Sequence, residues 1–319
     1  MIAFVFSGQG SQYQVMGQTL CQYSQAAQAV YDAAKALLGY DLQQLTPDQL
    51  SQTGYAQPAI VTLSMAAWQS LLAEWQESDL TGQDRSLSQI AGMAGFSLGE
   101  YSALGAAGIL DLQSLLVLVS ERARLMQEAA KATPGSMAAV IGLSDQQILS
   151  VLEQERFRDK VFAVNFNAPG QVVLSGYTSV LPDCLAACSQ VGARRVVALD
   201  VNGAFHTPLM AQAADKLKTF AAGLNFVKTA VPLYSNVDGK LVPATVDWPD
   251  YLARHLCSPV RWVDEVRTLT DDGATAFCEL GPGKVLAGLI RKISPGLPVT
   301  SIDQPGSLID FCRPPDDAR

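Results

Sequence analysis

The sequence predicts an α/β protein in which a small subdomain is inserted into a larger α/β body, the body at 1–129 and 201–319 and the insert at 130–200. Three observations lead there. Ala91-Gly92-Met93-Ala94-Gly95 is a strand-like run of small residues that stops at a bend, Phe96-Ser97, and gives way to a helical pattern from Leu98. Phe4-Val5-Phe6 runs as a buried strand into a polar, glycine-bearing loop, Ser7-Gly8-Gln9-Gly10-Ser11-Gln12; ligand groups are commonly found at such strand ends in open α/β sheets. Between 130 and 200 the texture changes to a β-α-β-β-α-β order, that of a ferredoxin-like unit.

Taken in order, residues 26–38 and 58–75 carry helical apolar spacing. The second helix is expected to open with Pro58 near its first position, where a missing N–H is harmless. Residues 77–89 are polar and predict a surface loop. Asp111 is placed to cap a long helix running to about Lys131, which Thr133-Pro134-Gly135 ends. Within the insert the spacing predicts strands at 137–143, 161–165, 171–175 and 194–199, with helices at 145–153 and 180–191. Beyond it come a helix from Leu209, a strand at 231–236 backed by an Asp238-Gly239 turn, a helix opening at Pro249 that carries His255, and a helix over 262–272. A strand at 277–280 leads through Gly281-Pro282-Gly283-Lys284 into the last full helix, followed by a final strand at 298–302. The Pro/Asp-rich end from Pro314 is expected to fray.

A chain of 319 residues, 49% hydrophobic and 16% charged, has the composition of a soluble globular protein with a large core. No apolar run reaches membrane-spanning length without interruption, and the first residues lack a basic leader region, so a cytoplasmic protein with no membrane partner is expected. A formal charge of −8 argues against nonspecific nucleic-acid binding and means that an acidic partner would need a local basic patch. Arg194, Arg195, Arg291 and Lys292 are the candidates for it. The six cysteines include no C-x-x-C pair; Cys184 and Cys188, four apart on a helix, suit shared packing. With two histidines in the chain, no metal site is expected.

Gly95-Phe96-Ser97-Leu98-Gly99 is a G-x-S-x-G pattern between a strand and a helix, the setting of a nucleophile elbow. The serine hydroxyl stands exposed on a sharp turn, and the first N–H groups of the helix point at whatever it attacks, with that of Leu98 as the natural oxyanion donor. The alternative for the motif alone is an ordinary helix start capped by Ser97. A serine nucleophile needs a base, and the choice is between His206, in a Gly-Ala-Phe-His-Thr-Pro turn, and His255, within a helix. His206 has the better setting, after a strand. Arg122, amid the apolar pattern of the helix after the elbow, suggests a fixed carboxylate partner, or else a surface ion pair with Glu121 or Glu128.

These stretches closely resemble the malonyl-CoA:acyl-carrier-protein transacylases along essentially the whole chain. The matching runs are Gly8-Gln9-Gly10-Ser11-Gln12, Gly95-Phe96-Ser97-Leu98-Gly99-Glu100-Tyr101, the segment 122–127, Asn165-Phe166-Asn167-Ala168-Pro169-Gly170-Gln171, Ala204-Phe205-His206, Ser258-Pro259-Val260-Arg261-Trp262 and Glu279-Leu280-Gly281-Pro282-Gly283. Seven motifs in the family's order make the resemblance specific. It implies an α/β-hydrolase-like large subdomain with the ferredoxin-like insert, no cofactor, and malonyl-CoA and acyl carrier protein as partners of a monomeric enzyme. It implies Ser97 as acyl carrier, His206 as base, the N–H groups of Gln9 and Leu98 as oxyanion donors, and Arg122 as the partner of the malonyl carboxylate. By the same resemblance Asn165 and Asn167 lie near the pantetheine path, and Phe205 stands where malonyl-selective relatives carry it, crowding an added methyl by about 1–3 kcal/mol.

The chain departs from that family at two positions. Phe96 stands where many relatives have histidine, and His255 stands where the family has a glutamine that orients the catalytic histidine through its main-chain carbonyl. Three rival readings differ in class. A serine esterase would order serine, acid and a late histidine and carry an HGGG-type loop, which this chain lacks. A polyketide acyltransferase or malonate decarboxylase subunit would keep the chemistry and change the pathway. An inactive carrier-docking module would have no use for Ser97, His206 and Arg122 together.

Overall fold

The computed structural model describes residues 1–79, 89–201 and 203–312. It is mixed α/β with two four-stranded sheets. By contacts the chain divides into two compact units, Met1–Ser120 with Asn225–Ser235 and Arg267–Arg319, and Glu121–Leu224 with Asn236–Val266. The stretch expected as an insert, 130–200, falls inside the second unit, which is wider than that expectation on both sides and also takes in 236–266.

The first unit is built on β1 (Ile2–Phe6), to which β2 (Ile90–Gly95) and β7 (Ala276–Leu280) pair in parallel, with β8 (Val299–Ile302) parallel to β7. The sheet order β2-β1-β7-β8 puts β1 in the interior, and residues 3–6 are fully buried, as a parallel strand covered on both faces requires. Helices α1 (Gln18–Tyr23), α2 (Gln25–Leu38), α3 (Pro47–Leu50), α4 (Thr53–Asp79) and α5 (Leu98–Ala106) belong to this unit, with α12 (Val285–Ile293) and α13 (Pro305–Cys312). α4 packs against α2, α5 and α13.

The second unit holds β3 (Gly135–Ile141), α7 (Asp145–Leu152), β4 (Val161–Ala168), β5 (Gln171–Tyr177), α8 (Leu181–Gln190) and β6 (Arg195–Ala198). Its sheet is antiparallel in the order β4-β5-β3-β6, the ferredoxin-like arrangement. Cys184 and Cys188 both lie in its apolar core with Val140, Phe157, Val172 and Leu174. Most of α6 (Leu112–Ala132), α9 (Ala211–Ala221), α10 (Trp248–Cys257) and the first half of α11 (Trp262–Asp271) complete it. Asp111 caps α6, its Oδ1 accepting from the Ser114 N–H at 2.7 Å.

Several expectations are corrected. α4 begins at Thr53, so Pro58 lies inside the helix and past its first turn, where its missing N–H leaves the Gly54 carbonyl without its i+4 donor. The expected strand at 231–236 reduces to bridge residues at Leu233 and Tyr234, Leu233 bridging Met93 in parallel: Tyr234 N–H donates to Met93 at 2.9 Å and Met93 N–H to Pro232 at 2.8 Å, while Pro232 has no N–H to extend a ladder. Residues 77–79, expected in a loop, continue α4; positions 80–88 of that loop and the end from 313 lie outside the described residues. Helix α13, beyond the helix expected to be last, was not foreseen. Among the described residues no helix is long and apolar enough to cross a membrane.

Candidate active site

In the first unit β2 stops at Gly95 and α5 starts at Leu98, so Phe96 and Ser97 make the whole turn. Phe96 N–H donates to the Phe6 carbonyl at 3.0 Å, tying the turn to the end of β1, and Gly99 N–H donates to the Phe96 carbonyl at 3.0 Å. Ser97 is held at φ 52°, ψ −101°, a conformation costing a non-glycine residue about 1–3 kcal/mol. Its side chain makes no capping bond to the helix, which sets aside the reading of Ser97 as an ordinary cap. A Cβ on Gly95 would collide with the main chain of Gly99 and Glu100, and one on Gly99 with the Phe6 carbonyl. Strand and helix cross too closely for any side chain at either position.

The loop after β1 is fixed from two sides. Gln9 Nε2 donates to Thr53 Oγ1 at 3.3 Å, and Gln57 Nε2 donates to Gln9 Oε1 at 3.2 Å, so the first turns of α4 clamp the Gln9 side chain. Among the described residues neither the Gln9 nor the Leu98 main-chain N–H donates a hydrogen bond, which leaves both for an incoming anion. Beneath the loop, the buried carboxylate of Glu279 accepts from Ser7 Oγ at 3.3 Å, Ser301 Oγ at 3.0 Å and the N–H groups of Leu286 and Ala287, each at 3.0 Å. Burial pushes its pKa up, against those four donors.

In the second unit His206 has φ 60° and is 5% exposed, in a turn closed by Thr207 Oγ1 donating to the Ala204 carbonyl at 2.6 Å. Its Nδ1 lies 3.1 Å from the Ser258 carbonyl oxygen and 3.3 Å from that of His255. With Nδ1–H donating to these oxygens, Nε2 is the basic nitrogen. The His206 and His255 rings meet edge to face, their centroids 5.7 Å apart. Burial, then the charges of His255 and Arg122, push the His206 pKa down to about 3 against the opposing pull of the two carbonyls, so the ring is neutral near pH 7.

Arg122 is 1% exposed, in the field of His206. The surface ion pairs open to it by sequence fall to its neighbour: Arg124 binds both Glu121 and Glu128. Phe205 and Asn165 are each 5% exposed, and Asn167 Oδ1 is buried with no partner among the described residues. Ser97, Leu98 and Gln9 thus belong to the first unit, and Arg122, Asn165, Asn167, Phe205, His206 and His255 to the second. Arg194 and Arg195 are exposed at the start of β6 in the second unit, Arg291 and Lys292 on α12 in the first.

The first unit thus carries a strained serine elbow with two unengaged N–H donors, and the second a neutral histidine and a buried arginine. Residues 3–295 match the acyl transferase domain family. The chain is 38% identical over 310 residues to the malonyl CoA-acyl carrier protein transacylase of Salmonella typhimurium, covering 96% of this chain and 97% of that protein. Among solved structures, an acyl carrier protein S-malonyltransferase from Vibrio cholerae superposes with a TM-score of 0.87 at 37% identity, over 97% of this chain and 99% of the other. A malonyl-transacylase solved in complex with its type II polyketide synthase acyl-carrier protein gives 0.88 at 36% identity, over 97% and 98%. The chain belongs to the acyl transferase domain family, among its malonyl CoA-acyl carrier protein transacylases.

Proposed function

We propose that this chain moves a malonyl group from malonyl-CoA to the phosphopantetheine thiol of an acyl carrier protein in fatty-acid synthesis, by way of a malonyl-Ser97 ester. The observation that carries the reading is the Ser97 elbow, strained and flanked by glycines, with the Leu98 N–H unengaged beside it. In the first half, His206 Nε2 takes the Ser97 hydroxyl proton as Oγ attacks the thioester carbonyl. The N–H groups of Gln9 and Leu98 hold the resulting oxyanion. The C–S bond breaks and coenzyme A leaves with the proton from His206. In the second half His206 takes the carrier thiol's proton, sulfur attacks the ester carbonyl, and Ser97 recovers its proton as the C–O bond breaks.

Arg122 binds the malonyl carboxylate through both arms of its guanidinium, which selects a dicarboxylic acyl group over acetyl. Phe205 lines the acyl pocket, and Asn165 and Asn167 receive the amides of pantetheine. In this reading the enzyme is a cytoplasmic monomer that needs no cofactor and uses neither nucleic acid nor membrane. The test is the intact mass of the protein after mixing with malonyl-CoA: a malonyl adduct on the wild type and none on Ser97→Ala. Near-wild-type malonyl transfer by Ser97→Ala would overturn the assignment.

A further inference from the structure

α10 ends against His206, with Ser258 as its C-cap and Pro259 next in the chain. In a continuing helix the carbonyl of His255 would accept from the N–H of residue 259, but that residue is proline and has none. Proline also disfavours helical geometry in the residue before it, and Ser258 is extended, at φ −104° and ψ 152°. The chain then leaves as a strand: Val260 N–H donates to Val164 at 2.8 Å and Phe166 N–H to Val260 at 3.0 Å, a parallel bridge along β4. Val260 N–H is therefore spent on β4 and does not return to the helix. The carbonyls of His255 and Ser258 meet Nδ1 of His206, at 3.3 and 3.1 Å.

We infer that Pro259 is a positioning residue for His206: by supplying no N–H and by holding Ser258 extended, it reserves two carbonyl oxygens that fix the Nδ1–H tautomer and the ring's orientation. The paired oxygens at a helix C-terminus, where the helix dipole is negative, orient the ring as a buried carboxylate would. No side-chain acid is needed for that. Leu256, Ser258 and Val260 keep their own roles in packing and pairing, so the device resides in one imino acid. The catalytic consequence rests on the reading of His206 as the base; the tautomer does not.

The test is histidine nitrogen NMR at neutral pH, joined to the rate of acylation by malonyl-CoA. The chain has two histidines, so two rings appear and His255→Gln assigns them. Wild-type His206 is expected as the Nδ1–H tautomer alone; an Nε2–H ring there overturns the inference without any variant. In Pro259→Ala, the new N–H competes for the His255 carbonyl. The expected result is a mixed tautomer population and acylation slowed about tenfold or more, with KM for malonyl-CoA nearly unchanged. A folded Pro259→Ala that keeps the wild-type tautomer overturns the inference. A changed tautomer with an unchanged acylation rate upholds the hold of Pro259 on the ring and overturns His206 as the base.

Discussion

Nδ1 of His206 lies 3.1 Å from the main-chain oxygen of Ser258, closer than the 3.3 Å that separates it from the oxygen of His255. The ring is thus held by backbone, and a side-chain change at 255 that preserves α10 leaves the hold intact. His255→Gln should keep kcat within about threefold, a cost under about 1 kcal/mol. The check is the pH dependence of malonyl transfer in both proteins. If the neighbouring imidazole takes part, the wild type will show two coupled ionisations and the variant one, with a much larger loss of rate.

Arg122→Ala should weaken malonyl transfer by about 2–4 kcal/mol while costing acetyl transfer far less, because the acetyl group has no carboxylate to lose. Arg122→Lys should recover part of the malonyl rate, an ammonium being unable to match the planar fork. Parallel measurement of kcat/KM for the two acyl-CoAs decides it: equal losses would make Arg122 a structural residue.

His206 also sets a pH dependence of stability. Its folded pKa is depressed, from 6.5 to about 3, chiefly by burial and then by His255 and Arg122. Below about pH 6.5 the unfolded chain binds a proton that the folded chain refuses. This contribution is therefore complete above pH 6.5 and is lost as pH falls toward 3, by about 1.4 kcal/mol for each unit. Urea unfolding at pH 7 and pH 5 should show a smaller decline for His206→Gln than for the wild type. An equal decline in both would place the proton uptake elsewhere.

Much of this was legible in the sequence because side-chain chemistry and period were on display. The G-x-S-x-G run marked Ser97, the apolar pattern around Arg122 singled that cation out while leaving a surface ion pair open, and the β-α-β-β-α-β order over 130–200 marked the antiparallel sheet. The failures are those of short or context-bound structure. Helices α1 and α3, six and four residues long, are too short to show a period. Val231 and its neighbours have strand-like composition, but with Pro232 among them they reach only bridge pairing, at Leu233 and Tyr234. The carbonyl of Ser258 could not be read from any side chain, although the proline after it was the available signal. Thr53, Gln57 and Glu279 hold the loop after β1 through contacts across 44, 48 and 272 residues, which no local pattern records.

That last contact has a consequence for the order of synthesis. In synthesis Ser7 precedes both the neighbouring strand β7 and its Glu279 carboxylate, the latter by 272 residues. Until they emerge, β1 has β2 on one edge and an open ladder on the other, and Ser7 has no acceptor. A nascent chain can therefore complete its serine elbow long before Glu279 fastens Ser7. Glu279 thus adds a late hold to a loop whose Gln9 side chain α4 can clamp much earlier.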